Sequence, residues 1–226
     1  LDWVWGRVVF QNILACTLPG GEAAYFARNR HPDLHNKLTR NGALDQIQKR
    51  QQMIYRGLLE TGAAQLRPGI ARLMTEAIAG RVKLALCSTG PRQDFETLLY
   101  NRFGHEMLDA LTASVAAEDL SRTTAAQAYR LCLSRLKVPA HHTVVIEDSG
   151  LGCAAANRLG MTVVATPSQY TMTEKFREAV LVISDLGHPA APFSVMQGDA
   201  AGINYTTLAA LRIWQGRSQL TAAVAA

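Results

Sequence analysis

One short stretch near the middle of the chain constrains the fold more than any other. Residues Thr143–Ile146 are apolar or β-branched, and Glu147 and Asp148 follow them directly. A run of this kind is typical of a strand that is buried on both faces of a sheet. Ser149 then predicts an N-cap for a helix that begins at Gly150. The stretch therefore predicts a strand–turn–helix unit whose strand ends in two adjacent carboxylates.

The two carboxylates have two interpretations. The carboxyl ends of strands in open α/β sheets are where ligands bind, and Mg²⁺ prefers carboxylate and water oxygens. Glu147 and Asp148 are therefore candidate Mg²⁺ ligands. The alternative is an acidic turn that only complements the positive end of the following helix. Local chemistry leaves both interpretations open.

Helices and strands alternate from Leu66–Gly69 onward, where proline and glycine mark a boundary. Strands are predicted at about 82–87, 111–115, 143–146, 161–165 and 180–183, with helices between them. This alternation predicts an α/β fold with a parallel sheet and helices on both faces. We expect a small helical domain over 1–66 that lies over the site as a lid, and an α/β core over 67–190. Residues 191–226 are predicted to be a tail with one helix.

The composition limits the classes of function. The chain is 48% hydrophobic and 18% charged, which is typical of a folded globular protein. Its net charge of +5 favours anionic ligands, but the basic residues are scattered, so nucleic-acid binding is not expected. We expect no membrane segment and no signal peptide. The four cysteines are widely spaced, which favours reduced thiols in a cytoplasmic protein. We expect a monomer or a weak homodimer.

A second candidate site follows the strand at 82–87. Ser88 and Thr89 end that strand, and Gly90 and Pro91 lead into the next helix. Hydroxyls and free backbone N–H groups at such a turn form an anion site, and phosphate is the usual occupant. The alternative is simple helix capping. The acidic strand end about sixty residues later favours the phosphate site.

Six short segments are distributed over nearly the whole chain: Leu1–Trp5, Leu58–Ala63, Leu66–Gly69, Leu84–Thr89, Ile146–Ser149 and Ser184–Gly187. Together they resemble the haloacid dehalogenase (HAD) superfamily, and within it the CbbY-type sugar-phosphate phosphatases, close to phosphoglycolate phosphatases and β-phosphoglucomutases. The resemblance implies a Rossmann-like HAD core with a helical cap domain. It also implies a Mg²⁺-dependent phosphatase that acts on a small phosphorylated metabolite.

The resemblance implies roles for individual residues. Ser88 would hold the transferring phosphoryl group, and Thr89 and Gly90 would line the same pocket. Glu147 and Asp148 would bind Mg²⁺ directly or through water, which neutralises phosphoryl charge. In the family, the first Asp of an N-terminal D-x-D motif attacks the phosphate to form an aspartyl-phosphate, and the second is the general acid and base.

The chain departs from the family pattern at three places. It contains no D-x-D, so no nucleophile can be named. It has no lysine between Lys83 and Lys137, where the family has a K-P-x-P-D loop, and Arg122 is the candidate substitute although its planar fork differs from an ammonium. The family's T-G-G-K-E-R cap loop reads P-G-G-E-A-A, which keeps Gly20 and Gly21 as candidate substrate-binding residues without the cations. We therefore expect the chain to be inactive by itself.

Two other functions are considered. The segment Gly150–Ala155 is similar to a G-x-G-x-x-A dinucleotide-binding loop, but the acids before it would repel a pyrophosphate. The acid expected at the end of a second strand is also missing, since Glu174 lies beyond Pro167 in a loop-like region. The better alternative is a non-catalytic HAD-like protein that binds a phosphorylated ligand or a protein partner.

The absent D-x-D strand also has a consequence for the sheet. In the superfamily this strand lies between the strands that end here at Ser88 and Glu147, and unpaired backbone groups on buried strands are costly. We predict either that these two strands pair with each other or that another segment fills the gap. Arg7–Phe10 is the candidate segment. A third explanation is that the chain is a piece of a longer protein.

Overall fold

The structure is a computed structural model that describes residues 43–64, 66–88, 90–121, 124–168 and 171–225. Its helices are α1 (Ala43–Glu60), α2 (Ile70–Ala79), α3 (Arg92–Phe103), α4 (His105–Ala110), α5 (Ala125–Leu136), α6 (Gly150–Arg158) and α7 (Leu208–Ala225). Its strands are β1 (Ala85–Cys87), β2 (Ala113–Val115), β3 (Val144–Glu147), β4 (Thr162–Ala165), β5 (Leu181–Ile183) and β6 (Val195–Gly198). The alternation of helices and strands predicted from the sequence is confirmed.

The strands of the described residues form two separate sheets. β1 pairs in parallel with β2, and the second sheet has the order β3-β4-β5-β6. Strands β3, β4 and β5 are parallel, whereas β6 is antiparallel to β5. The predicted α/β class with a parallel sheet is confirmed. The antiparallel edge strand β6 is an addition that the sequence did not predict.

Residues 191–225 are not a separate tail. Strand β6 extends the second sheet, and Phe193 and Trp214 are buried in the same apolar cluster as Ile183 of β5. Their aromatic rings meet edge to face with centroids 6.3 Å apart. The boundary predicted at residue 190 is therefore wrong, because the apolar side chains that follow it complete one face of the core.

Strand β4 shows how the core is layered. Each of its residues is buried, and their side chains alternate between the two faces of the sheet. Val163 and Ala165 join a cluster with residues of α5 and α6, while Val164 joins a cluster with residues of α2 and α7. Helices therefore cover both faces, which explains why the strand is continuously apolar rather than alternating.

Helix α5 packs on both sheets. Tyr129 belongs to the same buried cluster as Val145 of β3. Further along the same face of the helix, Cys132 and Leu136 belong to a cluster with Val115 of β2. The helix therefore fixes the position of the small sheet relative to the large one.

A gap separates β1 from β3. The two strands belong to different sheets, and a mostly apolar cavity of about 410 Å³ is lined by Leu84 before β1, by Val144 and Ile146 of β3, and by residues of α2 and α7. The prediction that these strands pair with each other is wrong for the described residues, because α5 packs on both sheets and holds them apart. The other candidate for this gap, Arg7–Phe10, lies outside the described residues.

Helix α1 is the described part of the predicted helical domain at 1–66. Leu59 is buried, and its carbonyl accepts a 2.6 Å hydrogen bond from Asn101 of α3. Arg56 forms an ion pair with Asp94, also of α3, at 3.5 Å. Helix α1 therefore packs on α3, next to the turn that follows β1. The remainder of the predicted domain lies outside the described residues.

Candidate functional site

The carboxylate of Glu147 is held in place at the end of β3. Tyr129 of α5 donates a hydrogen bond of 3.0 Å to Oε2, and Ser149 donates one of 2.7 Å to Oε1. The Ser149 hydroxyl in turn accepts from the N–H of Gly152 at 3.0 Å, which confirms the predicted N-cap. Each oxygen of Glu147 therefore has a hydrogen-bond donor from the protein.

Gly150 and Gly152 are required by close packing. A Cβ atom at Gly152 would lie 1.6 Å from Oε1 of Glu147, and one at Gly150 would lie 2.6 Å from the carbonyl oxygen of Lys175. The N–H of Gly150 donates to Oε2 of Glu174 at 2.6 Å. The N–H groups that a pyrophosphate would need at these two glycines are therefore already bonded. The dinucleotide-binding interpretation has no support in this geometry.

The acidic residues at this strand end are poorly hydrated. Burial raises the pKa of Glu147, and the charge of Asp148 raises it further, whereas hydrogen bonds from Ser149 and Tyr129 lower it. Asp148 is exposed as a residue, yet the protein around its carboxylate reduces hydration enough to raise its pKa, against the effect of Arg67. Since burial disfavours the charged form of both carboxylates, a cation at this place would favour the ionised form of both.

Arg67 joins the carboxyl ends of two strands next to Asp148. Its guanidinium donates to the carbonyl of Thr166, to the carbonyl of Pro167 at 2.9 Å and to the carbonyl of Ser184 at 2.6 Å. Thr166 and Pro167 follow β4, and Ser184 follows β5. The planar fork of arginine can reach several acceptors at once, so one side chain fixes both strand ends and places a positive charge near Asp148.

Ser88 lies at the turn that follows β1. Its backbone N–H donates to the carbonyl of Val115 at 2.9 Å, and its Oγ accepts from the N–H of Gly90 at 3.0 Å. A hydroxyl that accepts one hydrogen bond still has its own O–H to donate. Ser88 can therefore donate to an anion without losing its contact to Gly90. Thr89, the other predicted phosphate-binding residue of this turn, lies outside the described residues.

The ends of β1 and β3 converge on one aromatic side chain. Cys87, the last residue of β1, packs against the buried cluster that contains Tyr129. The same Tyr129 is hydrogen-bonded to Glu147, the last residue of β3. A hydrogen bond to Cys132 and burial raise the pKa of the Cys87 thiol, and the charge of Glu147 raises it further, so Cys87 and Glu147 lie close together. The serine-containing turn and the acidic turn therefore lie at the same end of the molecule.

The loop that follows β2 is fixed by charges. The Asp119 carboxylate accepts from Arg135 at 2.8 Å and also pairs with Arg92. These contacts, Arg135 first, hold the pKa of Asp119 well below its ordinary range. Glu118 accepts from the backbone N–H of Arg92 at 3.1 and 3.2 Å, so a protein carboxylate already occupies the N-terminus of α3. Arg122, the candidate substitute for the family lysine, lies outside the described residues.

A family model described as haloacid dehalogenase-like hydrolase matches residues 6–160. The chain belongs to this family. The HAD-like chain is 29% identical to the plasmid-encoded CbbY protein of Cupriavidus necator over 95% of its own length and 84% of that protein. It is 30% identical to a CBBY-like protein of Arabidopsis thaliana, over 84% of this chain and 60% of the relative. The resemblance to CbbY-type proteins is therefore confirmed.

Solved structures agree with this assignment. The crystal structure of CbbY from Rhodobacter sphaeroides superposes with a TM-score of 0.61 at 28% identity, and covers 84% of each chain. A β-phosphoglucomutase-like protein from Thermotoga maritima shares the fold with a TM-score of 0.52 at 21% identity. The HAD-type α/β fold predicted for this chain is thus shown by sequence and by structure.

The HAD-like site offers one clear metal ligand. Apart from its own backbone N–H, the Asp148 carboxylate has no hydrogen-bond partner among the described residues. Both Glu147 oxygens are hydrogen-bonded, which favours a contact through water for this residue. No cluster of three His, Cys, Asp or Glu side chains suited to a metal occurs in the described part of the chain. A Mg²⁺ ion bound by one or two carboxylates, water and substrate phosphate fits such a donor set.

Three contributors to the site were not predicted from the sequence. Tyr129, Arg67 and Glu174 each contact the acidic strand end from a distant part of the chain. Only Arg67 lay within a segment that carried the resemblance, and that segment gave no indication of its partners.

Gly20 and Gly21, the predicted substrate-binding residues, lie outside the described residues. No helix in the described part combines the length and the apolar character that crossing a membrane requires.

Proposed function

We propose that this HAD-like chain binds the phosphoryl group of a small phosphorylated sugar, with Mg²⁺, at the turns that follow β1 and β3. The observation that carries the proposal is the convergence of Cys87 and Glu147 on Tyr129, since Ser88 and Asp148 are the next residues on their respective strands. A hydroxyl donor and a carboxylate ligand at the same end of the fold suit a phosphate–metal pair.

The substrate class is supported by relatives. CbbY from Rhodobacter sphaeroides was crystallised with xylulose-(1,5)bisphosphate and, separately, with phosphate. A validoxylamine A 7'-phosphate phosphatase from Streptomyces hygroscopicus is 29% identical to this chain over 58% of its length. These proteins act on or bind phosphorylated carbohydrate-like molecules, as their names state. A phosphorylated sugar is therefore the ligand class that we propose.

The predicted residues of the two turns and of the loop before α5 each have a role in this proposal. The Ser88 O–H donates to a phosphoryl oxygen, and Thr89 and Gly90 line the same turn. Asp148 holds Mg²⁺ directly, and Glu147 holds it through water while its own oxygens stay bonded to Tyr129 and Ser149. The metal supplies positive charge that offsets the phosphoryl oxygens. Arg122 contributes further positive charge from the loop before α5.

Hydrolysis requires a nucleophile, and the chain contains no D-x-D motif to supply one. Aspartyl-phosphate chemistry cannot begin without that carboxylate. We therefore propose that residues 1–226 bind phosphate and metal but do not hydrolyse a phosphate ester unaided. The second candidate function, a non-catalytic module for a phosphorylated ligand or a protein partner, is favoured by the same absence.

The test measures binding and turnover with the same protein. Inorganic phosphate and Mg²⁺ together are expected to raise the melting temperature of the chain by mass action, while p-nitrophenyl phosphate is not hydrolysed. Ser88→Ala and Asp148→Asn should each lower the apparent phosphate affinity about tenfold or more, since each removes a contact to a charged group. Turnover by the purified chain would contradict the non-catalytic part of the proposal.

Matched controls separate the site from general effects on stability. Ser134→Ala changes an exposed serine of α5, and Asp109→Asn changes an exposed aspartate of α4. Both controls are expected to keep the full thermal shift with phosphate and Mg²⁺. If the two site variants behave like the two controls, the turns after β1 and β3 are not the phosphate site.

A further inference from the structure

Two cysteines pack in the same apolar cluster beneath the turn that carries Ser88. Cys87 ends β1, and its Sγ donates to the carbonyl of Ala128 on α5 at 3.4 Å. Cys132 lies one helical turn after Ala128, on the same face of α5, and Cys87 packs against the apolar cluster to which Cys132 belongs. The strand and the helix therefore bring two cysteine sulfurs together that lie far apart in the sequence.

The surroundings restrict the partners of these thiols. Cys132 is only 5% exposed, so it cannot form a disulfide with another molecule without local unfolding. Cys87 is half-buried and is therefore the more exposed of the two residues. Cys87 packs against both apolar clusters, the one that contains Cys153 and the one that contains Cys132. Its Sγ is bonded to Ala128, one helical turn before Cys132, so Cys132 is the partner that we expect for Cys87 on oxidation.

We propose that Cys87 and Cys132 form a redox-active dithiol that hydrogen peroxide converts reversibly into a disulfide between β1 and α5. One sulfur takes an oxygen atom from peroxide and becomes a sulfenic acid, with release of one water. The other sulfur attacks the sulfenic sulfur, so that the S–S bond forms and the S–O bond breaks. The leaving hydroxide and the remaining thiol proton form a second water. A small thiol reductant reverses the reaction by exchange.

The disulfide changes the position of the end of β1. An S–S bond of about 2.05 Å is much shorter than a contact between two hydrogen-bonded thiols, and the hydrogen bond from Cys87 to Ala128 is lost with the thiol proton. Ser88 follows Cys87 directly, so its hydroxyl moves with the strand end. Oxidation therefore weakens phosphate binding, and this part of the inference rests on the proposed function of Ser88.

Peptide mapping tests the disulfide itself. The full chain carrying Cys16→Ser is treated with hydrogen peroxide, blocked with iodoacetamide and digested with trypsin without reduction. Trypsin places Cys87 in the peptide 84–92 and Cys132 in the peptide 131–135, both free of other cysteines. The expected product is a cross-link between these two peptides that disappears after treatment with dithiothreitol. Only sulfinic or sulfonic acids, or cross-links to the peptide that contains Cys153, would overturn the proposal.

Variants provide the controls. Cys87→Ser and Cys132→Ser should each abolish the cross-link. Cys153→Ser changes the other buried cysteine and should retain the cross-link. If a serine at position 132 prevents folding, Cys132→Ala serves instead, because its buried site tolerates a small apolar side chain better. Persistence of the cross-link in any variant that lacks one of the two thiols would also overturn the proposal.

A thermal-shift measurement with inorganic phosphate and Mg²⁺ separates the two proposals. Phosphate should raise the melting temperature of the reduced protein, and its apparent affinity for the oxidised protein should be at least tenfold lower. This result would support both the dithiol and its effect on the site. If the disulfide forms but phosphate stabilises neither the reduced nor the oxidised protein, the dithiol is established and the proposed role of Ser88 is removed. Equal protection in both states would refute the coupling between them.

Discussion

The hydroxyl of Tyr129 lies 3.0 Å from Oε2 of Glu147 and donates a hydrogen bond to it. This contact connects α5, which packs on both sheets, to the last residue of β3. Tyr129 is 7% exposed, and burial, followed by the charge of Glu147, raises the pKa of its phenol. The phenol therefore stays protonated and acts as a permanent donor to the carboxylate. The acidic strand end is positioned by a helix that also contacts the end of β1.

Replacement of Tyr129 by Phe removes this donor and leaves the ring in place. We expect a loss of about 1–3 kcal/mol in the free energy of unfolding at neutral pH, since a bond to a charged, partly buried acceptor is lost. The loss should shrink in acid, where Glu147 is protonated. Urea denaturation at two pH values measures both effects. Tyr100→Phe, at a half-exposed position on α3, is the control and should change little.

The raised pKa of Glu147 should make the free energy of unfolding fall as pH rises. Burial raises its pKa in the folded state above the unfolded value, so the folded state binds the proton more tightly. Stability from this group is therefore present at low pH and is lost as pH rises from the ordinary carboxyl range to the raised pKa. Glu147→Gln should flatten that decline and raise the free energy of unfolding at neutral pH, as measured by denaturation across pH 4–8.

Asp119 provides the comparison with the opposite sign. Its pKa is lowered by Arg135 and Arg92, so its contribution is present above the ordinary carboxyl range and is lost as pH falls. Asp119→Asn should therefore lower stability at neutral pH and leave it unchanged in strong acid. Identical pH profiles for this variant and Glu147→Gln would contradict the assignment of both groups.

The sequence was sufficient for features that depend on neighbouring residues. The N-cap at Ser149 was predicted because its partner, Gly152, lies three residues away. Strand β4 was predicted because a strand covered on both faces is continuously apolar. Strand β6 was not predicted, since its four residues are all exposed and show no alternation that marks a buried face. Local patterns thus gave the elements of the core but not its edge.

Contacts between distant residues could not be predicted in the same way. Arg67 bonds to carbonyl groups about a hundred residues further along the chain, and backbone acceptors have no signature in the sequence. Glu174 lies in a loop and reaches the first N–H of α6. The candidate Mg²⁺ ligands Glu147 and Asp148 were found from their position after a strand, but the side chains that position them required the fold.

Gly152 should not tolerate a side chain. A Cβ atom there would lie 1.6 Å from Glu147 Oε1, so Gly152→Ala must displace the carboxylate from Ser149 and Tyr129. We expect a loss of about 1–3 kcal/mol from overpacking, measured by urea denaturation. Gly57→Ala is the matched control in helix α1, where nothing lies within 4 Å of the added carbon. That change should be neutral or stabilise the protein by up to about 1 kcal/mol, since alanine favours helix.

Arg67 should contribute to both stability and metal binding, and two substitutions separate these roles. Arg67→Gln removes the charge near Asp148 and most donors to the carbonyls of Pro167 and Ser184, so we expect a loss of about 1–3 kcal/mol in the free energy of unfolding. Arg67→Lys keeps the charge but not the planar fork, so it should lose similar stability. Mg²⁺ alone should therefore raise the melting temperature of the Gln variant more than that of the Lys variant, because the Gln variant has no positive charge that repels a cation at Asp148.

Arg130→Gln, at an exposed position on α5, is the control, and its free energy of unfolding should stay within about 0.5 kcal/mol of that of the parent protein. Equal stability of the Gln variant and this control would show that the strand ends do not depend on the guanidinium.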